Sequence, residues 1–409
     1  MRKKKEDKEA SVEETEDYGE DNGKLSRHLV RTLNNGDEKM AWNLAKDMDN
    51  PTDVKEFIST GSTLLDYIIS NRRDGGIPAG KLTEIQGEES SGKSLLCAHI
   101  MANVQKKGGL AVYMDTENAA NPAFMKTVGV DLDKLVYVQP GTTEEVFETI
   151  EKCISVARAK DVKKPIVIVW DSVAATPPNA EIEGDYNPNS QIGLMARVIA
   201  RGLRKLTQTV GKDKVTLVFT NQLKFRPGVM YGDPMTTPGG KAIPYHASIR
   251  IKLAQSTKEK GKDGDVISIL TNATCKKTRF GPMLRKCQFS IFFDRGIEEV
   301  DSWRELLHSV GEIKKAGGMM IMKDVPQQVQ VGEDASKNPV YETQVLPELR
   351  FRQSSWKERL AGDPVFKAYV LDLLEKKMVV KYDEIPFDAD RDELSIATED
   401  DEQSEVSDD

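Results

Sequence analysis

An eight-residue stretch, Gly87-Glu-Glu-Ser-Ser-Gly-Lys-Ser94, constrains this chain more than any other feature. It fits the pattern G-x-x-x-x-G-K-[ST], in which the backbone N–H groups of a glycine-rich turn cradle phosphate oxygens. A strand-like run over 81–86 precedes it, and a helix-like run over 95–102 follows it. That setting directs the N–H groups toward an anion at the amino terminus of the helix. The sequence therefore predicts a nucleotide-binding loop, in which Lys93 reaches the β- and γ-phosphates and the Ser94 hydroxyl holds Mg²⁺.

The composition is that of a globular protein with polar ends. At 409 residues, the chain has room for one large domain and a smaller one. Hydrophobic residues make up 38% and charged residues 30%, and no apolar run is long enough to cross a membrane. The first residues lack the apolar segment of a secretory signal. The four cysteines form no C-x-x-C pair, so we expect a cytoplasmic protein with reduced thiols and no zinc site.

The net charge of −8 conceals an uneven distribution. Residues 383–409 contain thirteen acidic residues and one arginine, so this tail carries −12 while residues 1–382 carry +4. A basic body with an acidic tail is common among proteins that bind nucleic acid, because the tail can compete for the same surface. A tail that only confers solubility fits the composition equally well, and both interpretations stay open.

The order of apolar segments predicts an α/β protein. Strand and helix patterns alternate through the middle of the chain, and near-continuous apolar strands such as 166–170 belong in a sheet covered on both faces. We therefore expect a P-loop NTPase core with a mostly parallel central sheet and helices on both faces. The expected segments are a disordered N-terminus (1–24), an N-terminal helical oligomerisation module with two short helices (25–54), the ATPase core (55–300), a small C-terminal domain with helical runs over 301–315 and 355–377 (301–382), and an acidic disordered tail (383–409).

Polar side chains end three of the predicted strands. Asp171 follows an apolar strand, at the position where a carboxylate helps to hold Mg²⁺; capping of the next turn is the structural alternative. Glu117 and Asp115 both lie at the end of the strand after the P-loop helix, where a carboxylate can orient and deprotonate the attacking water. Gln222, after Asn221, closes another strand, where an amide can bond the γ-phosphate and report its loss.

A loop rich in glycine and proline spans residues 223–242, which is long for a connection inside a compact domain. Lys224, Arg226 and Lys241 supply cations for phosphates, and Phe225 supplies a ring for stacking on a base. This combination is typical of single-strand binding. A lid over the nucleotide is the alternative interpretation.

Together these motifs resemble the RecA-type recombinases, most closely the UvsX-like group of large phages. The resemblance is carried by the runs 58–66, 87–94, 171–175, 180–184, 221–222 and 228–240. It implies an ATP-dependent DNA strand-exchange enzyme, a single-stranded-DNA-dependent ATPase that uses ATP and Mg²⁺. Such proteins form helical filaments on single-stranded DNA and pair it with homologous duplex DNA in recombination, repair and replication restart. The implied partners are both forms of DNA, further copies of the chain, a loader or mediator, and a single-strand-binding protein, in the host cytoplasm if the chain is phage-encoded.

The resemblance also assigns roles to individual residues. Glu117 becomes the catalytic glutamate beside Lys93, and Gln222 becomes the switch between ATP and DNA. The implied nucleotide contacts are Gly87, Glu88, Glu89, Ser90, Ser91, Gly92, Lys93, Ser94, Leu95, Asn121, Phe124, Asp171, Lys276, Lys277 and Arg279, with Ser94 and Asp171 on the metal. The implied DNA contacts are Ile192, Arg197, Arg204, Lys224, Phe225, Arg226, Pro227, Gly239, Gly240 and Lys241.

Several of these assignments carry alternatives. One of Lys276, Lys277 and Arg279 would act across the subunit interface, and the sequence does not choose among them. Asn121 and Phe124 stand where bacterial members have an acidic residue and a tyrosine beside adenine. Pro227 or Phe225 would supply the wedge between base triplets, and Arg197 and Arg204 could instead form surface ion pairs. A hexameric ring motor and a non-catalytic paralogue that regulates a recombinase are the two alternative functions.

Overall fold

A computed structural model describes residues 22–36, 39–44, 46–47, 54–160, 164–184, 193–212, 214–225, 235–333 and 339–382. The helices are α1 (Asn22–Leu33), α2 (Thr63–Ser70), α3 (Lys93–Lys106), α4 (Pro122–Val128), α5 (Thr143–Ala159), α6 (Asn179–Ile182), α7 (Leu194–Lys212), α8 (Ala242–His246), α9 (Val300–Ser309), α10 (Trp356–Gly362) and α11 (Pro364–Met378). The strands are β1 (Phe57–Ile58), β2 (Ile77–Pro78), β3 (Leu82–Gly87), β4 (Leu110–Asp115), β5 (Leu135–Val138), β6 (Ile166–Asp171), β7 (Val215–Gln222), β8 (Lys224–Phe225), β9 (Met235–Thr236), β10 (Ile249–Lys260), β11 (Val266–Lys277), β12 (Lys286–Phe292), β13 (Gly296–Glu298), β14 (Lys314–Ala316), β15 (Met319–Glu333) and β16 (Pro339–Arg352).

A nine-stranded sheet forms the centre, in the order β13-β12-β11-β10-β3-β7-β6-β4-β5. The six strands from β10 to β5 pair in parallel, and β11, β12 and β13 add an antiparallel edge. All six residues of β3 and of β6 are buried, because helices cover both faces of the parallel part. The predicted α/β class with a mostly parallel sheet is confirmed. Among the described residues, no helix has the length and apolar character that a membrane span requires.

Apolar side chains fill a layer on each face of the sheet. On one face, Ile199, Leu203 and Leu206 of α7 pack with α5 against the strands, at the spacing of one helix face. Trp170 of β6 lies in this layer, with its ring 5.9 Å from that of Phe147 and 4.9 Å from that of Phe219. The other layer, under α2 and α3, continues into the C-terminal part of the chain without a break. The parallel strands that carry the candidate site are therefore fixed from both sides.

The motif over 58–66 fixes the start of α2. The Asp66 carboxylate accepts hydrogen bonds from the backbone N–H and the hydroxyl of Thr60, at 2.8 and 2.7 Å, and burial raises the pKa of Asp66 to about 7. Glu299, also buried, accepts from the Ser62 hydroxyl at 2.6 Å and from the Leu64 N–H at 3.2 Å. A motif that carries the resemblance therefore has a structural role, joining the start of α2 to the end of the central sheet.

At the N-terminal end, the expectation of two short helices over 25–49 is wrong for the described residues, which contain only α1. The helix also begins three residues earlier than the expected boundary at 25. Asn34 explains the chain's change of direction, because its side chain accepts from the N–H groups of Met40 and Ala41 at 2.8 and 2.9 Å and donates to the Ala41 carbonyl at 2.8 Å. An asparagine that bonds nearby backbone favours a turn over a continued helix. The segment 1–21 lies outside the described residues, as does the acidic tail.

The C-terminal part contains more sheet than expected. The helical run predicted over 301–315 ends at Ser309, because Gly311 adopts a left-handed φ of 83° and the chain then enters a three-stranded sheet, β14-β15-β16. Where this sheet meets α10 and α11, the rings of Phe351 and Trp356 stack, and the Phe366 ring packs edge-on against both. Trp356 also donates to the Val300 carbonyl at 2.7 Å. The apolar layer of this C-terminal sheet is continuous with the layer on one face of the central sheet. The domain boundary expected at residue 300 therefore stays a prediction.

Candidate functional site

The P-loop has the backbone of an anion site. It runs from the end of β3 at Gly87 to the start of α3 at Lys93, with left-handed φ values of 58° at Ser90 and 94° at Gly92. A side chain at Gly92 would place its Cβ 2.4 Å from the Ile291 Cδ1 atom, so only glycine fits there. Left-handed residues beside a helix start turn successive N–H groups toward one point. This backbone is compatible with the predicted phosphate-binding loop, and phosphate binding stays a prediction.

Lys93 lies inside this loop. Its ammonium donates hydrogen bonds to the carbonyls of Gly87 and Glu88, at 3.2 and 2.7 Å. Burial lowers the pKa of Lys93, while the nearby charges of Asp171 and Glu117 oppose that shift. The Lys93 ammonium therefore lies within the P-loop, at the amino terminus of α3.

The register of the sheet gathers the other predicted residues beside the loop. Gly87 of β3 pairs with Gln222 of β7, and Asp115 of β4 pairs with Asp171 of β6. These neighbouring strands are parallel, so their carboxyl ends share one edge of the sheet, where ligands bind in open α/β folds. Four segments that are distant in sequence thus meet at a single cleft.

Asp171 is held in a fixed orientation at this edge. Its carboxylate is buried and accepts hydrogen bonds from the Tyr113 hydroxyl at 2.9 Å and the Thr220 hydroxyl at 2.5 Å. Burial and the Asp171 charge raise the pKa of Tyr113, so this hydroxyl keeps its proton and donates. Ser94 is exposed in the first turn of α3. A hydroxyl and a carboxylate facing a phosphate loop are the donor set that Mg²⁺ takes with nucleotide phosphates. Elsewhere too, the described residues contain no group of three or more His, Cys, Asp or Glu side chains that could hold a metal ion by themselves.

Asp115 and Glu117, the two rival carboxylates, have different surroundings. Asp115 is buried and accepts from three backbone N–H groups, those of Glu117, Ala119 and Ala120, at 3.0 to 3.3 Å, and from the Tyr137 hydroxyl at 3.0 Å. Its oxygens are therefore used to shape the turn after β4. Glu117 is exposed on that turn and accepts a hydrogen bond from the Ser172 hydroxyl. Of these two carboxylates, only that of Glu117 is exposed at the cleft.

Gln222 contacts this glutamate. Its side-chain amide lies 3.4 Å from the Glu117 carboxylate. The adjacent Asn221 is fully buried and donates to the Glu84 carboxylate at 3.2 Å and to the Pro238 carbonyl at 3.1 Å. The end of β7 is thus bonded to the turn after β4 on one side and to the segment before Gly239 on the other.

Asn121 and Phe124, predicted beside adenine, have local roles in α4. Asn121 is the N-cap of this helix, and its side-chain oxygen accepts from the Phe124 N–H at 3.0 Å. The Phe124 ring is half-buried against the apolar layer under α3. These contacts explain why the two residue types occur here, and the adenine contact stays a prediction.

The segment 223–242, predicted to bind single strands, contains a short hairpin. Lys224 and Phe225 of β8 pair with Thr236 and Met235 of β9, and the Phe225 ring is 68% exposed. The connection between the two strands, with Arg226 and Pro227, lies outside the described residues. So does Ile192, another predicted DNA contact. The structure corrects the expectation of a loop without secondary structure, since a two-stranded ladder supports its base.

After the hairpin, the chain passes close to α7 at Gly239 and Gly240. A Cβ at Gly239 would lie 2.9 Å from the Ile199 Cδ1 atom, and one at Gly240 would lie 2.8 Å from the Ala196 Cβ atom. Both glycines have left-handed φ values, 89° and 71°. They are small because the chain passes close to the helix there. The structure supplies a packing reason for both residues, and their DNA contacts stay predictions.

The three candidate cations at the end of β11 have different surroundings. Lys276 lines a cavity with Lys241. Lys277 donates to the carbonyls of Pro244 and Tyr245, at 2.8 and 3.2 Å. Arg279 borders a separate cavity with Lys81. Because β11 runs antiparallel to β10, and Arg250 pairs with both Lys277 and Glu84, the end of β11 lies toward the amino-terminal end of β3, away from the P-loop of the same chain.

Residues 38–298 match the family model described as the RecA N-terminal domain. The chain belongs to the RecA family. The matched stretch contains every residue assigned above to the nucleotide cleft, and the predicted family is therefore confirmed.

Relatives in the RecA family share between a third and two fifths of the aligned residues. "Protein RecA" of Bifidobacterium breve is 39% identical over 269 residues, which cover 66% of this chain and 66% of that protein, just under two thirds. "Protein RecA" of Bacteroides thetaiotaomicron is 38% identical over 318 residues, covering 76% and 92%. That of Arthrospira platensis is 34% identical over 353 residues, covering 85% and 89%. All three are bacterial proteins, so the phage UvsX-like subgroup stays a prediction.

Helix α7 carries a stripe of three exposed arginines, of which the sequence predicted two as DNA contacts. Arg197 and Arg204 are exposed, as predicted, and Arg201 between them is also exposed. Residues spaced by four and three positions share one helix face. None of the three arginines has an ion-pair partner among the described residues, whereas Lys205 beside them pairs with Glu151 at 2.6 Å. The helical spacing would have been sufficient to include Arg201.

Proposed function

We propose that this protein is an ATP-dependent recombinase that assembles on single-stranded DNA and pairs it with homologous duplex DNA. The contact between Gln222 and Glu117 carries this proposal. Gln222 lies beside the carboxylate of the nucleotide cleft, and the exposed hairpin of Lys224 and Phe225 begins two residues later in the chain. One strand end therefore joins a hydrolytic cleft to a surface suited to DNA. Membership of the RecA family supports this assignment.

At the nucleotide cleft, each side chain has a distinct task. Lys93 and the P-loop N–H groups would bind the β- and γ-phosphates, and Ser94 and Asp171 would hold Mg²⁺, whose charge would stabilise the phosphoryl oxygens. Glu117 is exposed in the cleft, where it orients a water molecule and takes its proton as the water attacks the γ-phosphate. Asp115 holds the turn that carries Glu117. Hydrolysis would then change the contacts of Gln222 and release the DNA surface.

The proposed DNA surface consists of the stripe Arg197, Arg201 and Arg204 with the β8–β9 hairpin. Cationic side chains that bind single-stranded DNA release its counterions. The logarithm of the binding constant therefore falls against the logarithm of the salt concentration with a slope of about −0.7 per phosphate contact. We expect the triple alanine variant of the stripe to lower this salt slope by about 2. Fluorescence anisotropy with labelled oligonucleotides measures it. Lys205→Ala is the matched control, because Glu151 already neutralises that lysine. An equal decrease of the salt slope in both variants would refute the assignment of the stripe to DNA binding.

A further set of exposed apolar residues fits assembly with other copies. Helix α1 has no buried residue, and Leu25, Leu29 and Leu33 on it are 39%, 49% and 54% exposed. Met40 and Leu44 after it are 69% and 68% exposed. An amphipathic helix with an uncovered apolar face requires a partner to bury it. We propose that the partner is the next copy in a filament, whose ATP site would also receive Lys277 or Arg279. A loader and a single-strand-binding protein are further proposed partners, from the family resemblance alone.

Electron microscopy with single-stranded DNA and a slowly hydrolysed ATP analogue tests the assembly. We expect helical filaments whose length follows that of the DNA. Closed rings would instead favour a hexameric motor on the same core. The presence of Lys93, Glu117, Asp171 and Gln222 in one cleft argues against a non-catalytic paralogue.

Removing the acidic tail tests its role. We expect deletion of residues 383–409 to strengthen binding to duplex DNA at low Mg²⁺, because a charge of −12 no longer competes for the basic surface. A titration of labelled duplex against both proteins at two Mg²⁺ concentrations measures the change. Equal affinities would mean that the tail serves solubility or docking.

A further inference from the structure

A cavity of about 340 Å³ lies between the base of the β8–β9 hairpin and the central sheet. Four cationic side chains line it, and two threonines and one glutamine add polar groups. The cations are Lys241, Arg250, Lys252 and Lys276. No acidic side chain of the described residues lines this cavity. Clustered cationic side chains produce a positive potential that attracts an anion.

Arg250 is fixed in this cavity from behind. Its Nε atom donates to the Glu84 carboxylate at 2.6 Å, and one terminal nitrogen donates to the Gln86 side chain at 3.2 Å. Glu84 is fully buried, while the Arg250 side chain is 21% exposed. The second terminal nitrogen of Arg250 has no partner among the described residues. A guanidinium oriented by a buried carboxylate is prepared to bind a phosphate without further ordering.

The cavity is continuous with the proposed DNA surface. The lining of the cavity includes the base of the hairpin. Leu223 directly follows Gln222, and Met235 and Thr236 form β9. Gly240, also in the lining, lies against Ala196, the residue before Arg197 in the basic stripe. A DNA backbone that follows the stripe would therefore reach the cavity at the next step along the surface.

We propose that this cavity, formed by Lys241, Arg250, Lys252 and Lys276, binds a backbone phosphate of DNA. This inference rests on the proposed recombinase function and adds Arg250 and Lys252 to its DNA contacts. It also places Lys276 with the DNA-binding groups, while Lys277 and Arg279 stay available for the interface between copies. The Glu84 carboxylate accepts hydrogen bonds from both Arg250 and Asn221, and so connects a bound phosphate to the residue beside Gln222.

Lys252 gives the cleanest test. Changing Arg250 would leave the buried Glu84 carboxylate without its ion-pair partner and would destabilise the fold. Lys252 neutralises no buried carboxylate among the described residues. The matched control is Lys258, an exposed lysine on the same strand, β10, beyond the cavity. Lys252→Ala, Lys252→Glu, Lys258→Ala and Lys258→Glu are compared in the full-length protein, by anisotropy of labelled oligo-dT and of a duplex with a slowly hydrolysed ATP analogue, over a series of salt concentrations.

We expect Lys252→Ala to lower the salt slope for at least one of the two DNAs by about 0.7 to 1, and Lys252→Glu to lower affinity further. The Lys258 variants should match the wild type. Identical behaviour of the Lys252 and Lys258 pairs would overturn the proposal. A loss of affinity for a fluorescent ATP analogue, with the salt slope unchanged, would also overturn it, since the phosphate would then belong to a nucleotide on a neighbouring copy. Failure of the wild-type protein to bind DNA would instead refute the proposed function.

Discussion

Replacing Glu117 with glutamine lowers the rate of ATP hydrolysis by about 10²- to 10⁴-fold, the usual contribution of a general base. The amide keeps the size of the side chain and its contacts with Ser172 and Gln222 but cannot take a proton. Nucleotide and DNA should still bind, so the variant is trapped as an ATP-bound filament. Single-turnover hydrolysis beside a DNA-binding titration measures both properties.

Asp115→Asn is the matched comparison for that variant. Asp115 accepts hydrogen bonds from three backbone N–H groups and one hydroxyl, and an amide can accept only part of that set. We expect its main effect on thermal stability, because buried donors lose their acceptor. Normal turnover in Glu117→Gln, or a larger catalytic loss in Asp115→Asn at unchanged stability, would contradict the assignment of the base.

Replacing Lys93 with alanine weakens ATP binding by about 100-fold or more, the usual effect of removing one partner of a desolvated charge pair. Its ammonium is the cation inside the P-loop, so filament assembly that depends on ATP should be lost with it. Titration with a fluorescent ATP analogue and sedimentation with DNA measure the two effects. Lys106→Ala, at the exposed end of the same helix, controls for the loss of a lysine; unchanged ATP-dependent filaments in Lys93→Ala would remove the P-loop assignment.

Much of the nucleotide cleft could be predicted because its residues lie at strand ends. Asp171 and Gln222 each close an apolar strand, and parallel strands bring their carboxyl ends to one edge. The choice between Asp115 and Glu117 could not be made in this way, since both lie at the end of β4. It depends on the turn after that strand, whose N–H groups converge on Asp115, and a backbone conformation of this kind leaves no periodic signal in the sequence.

Long-range pairing explains the other differences. Arg250 and Lys252 read as ordinary strand residues, and only the folding of the β8–β9 hairpin over the sheet places them in a cavity with Lys241 and Lys276. The sequence analysis predicts helical runs on either side of β15 and β16 but not this hairpin. Its outer half is exposed and lacks the alternation that marks a half-buried strand. Arg201 is different, since its position on the α7 stripe follows from helical spacing alone.

The central claim is that ATP hydrolysis and DNA pairing are coupled through Gln222 in one protein. The most direct test is the ATPase rate with and without single-stranded DNA, measured beside a strand-exchange assay on the same preparation. The proposed recombinase predicts strong stimulation of hydrolysis by single-stranded DNA together with ATP-dependent exchange. Stimulation without exchange would indicate a motor or a mediator. Hydrolysis that ignores single-stranded DNA would contradict the assignment of the β8–β9 hairpin and α7 as its binding surface.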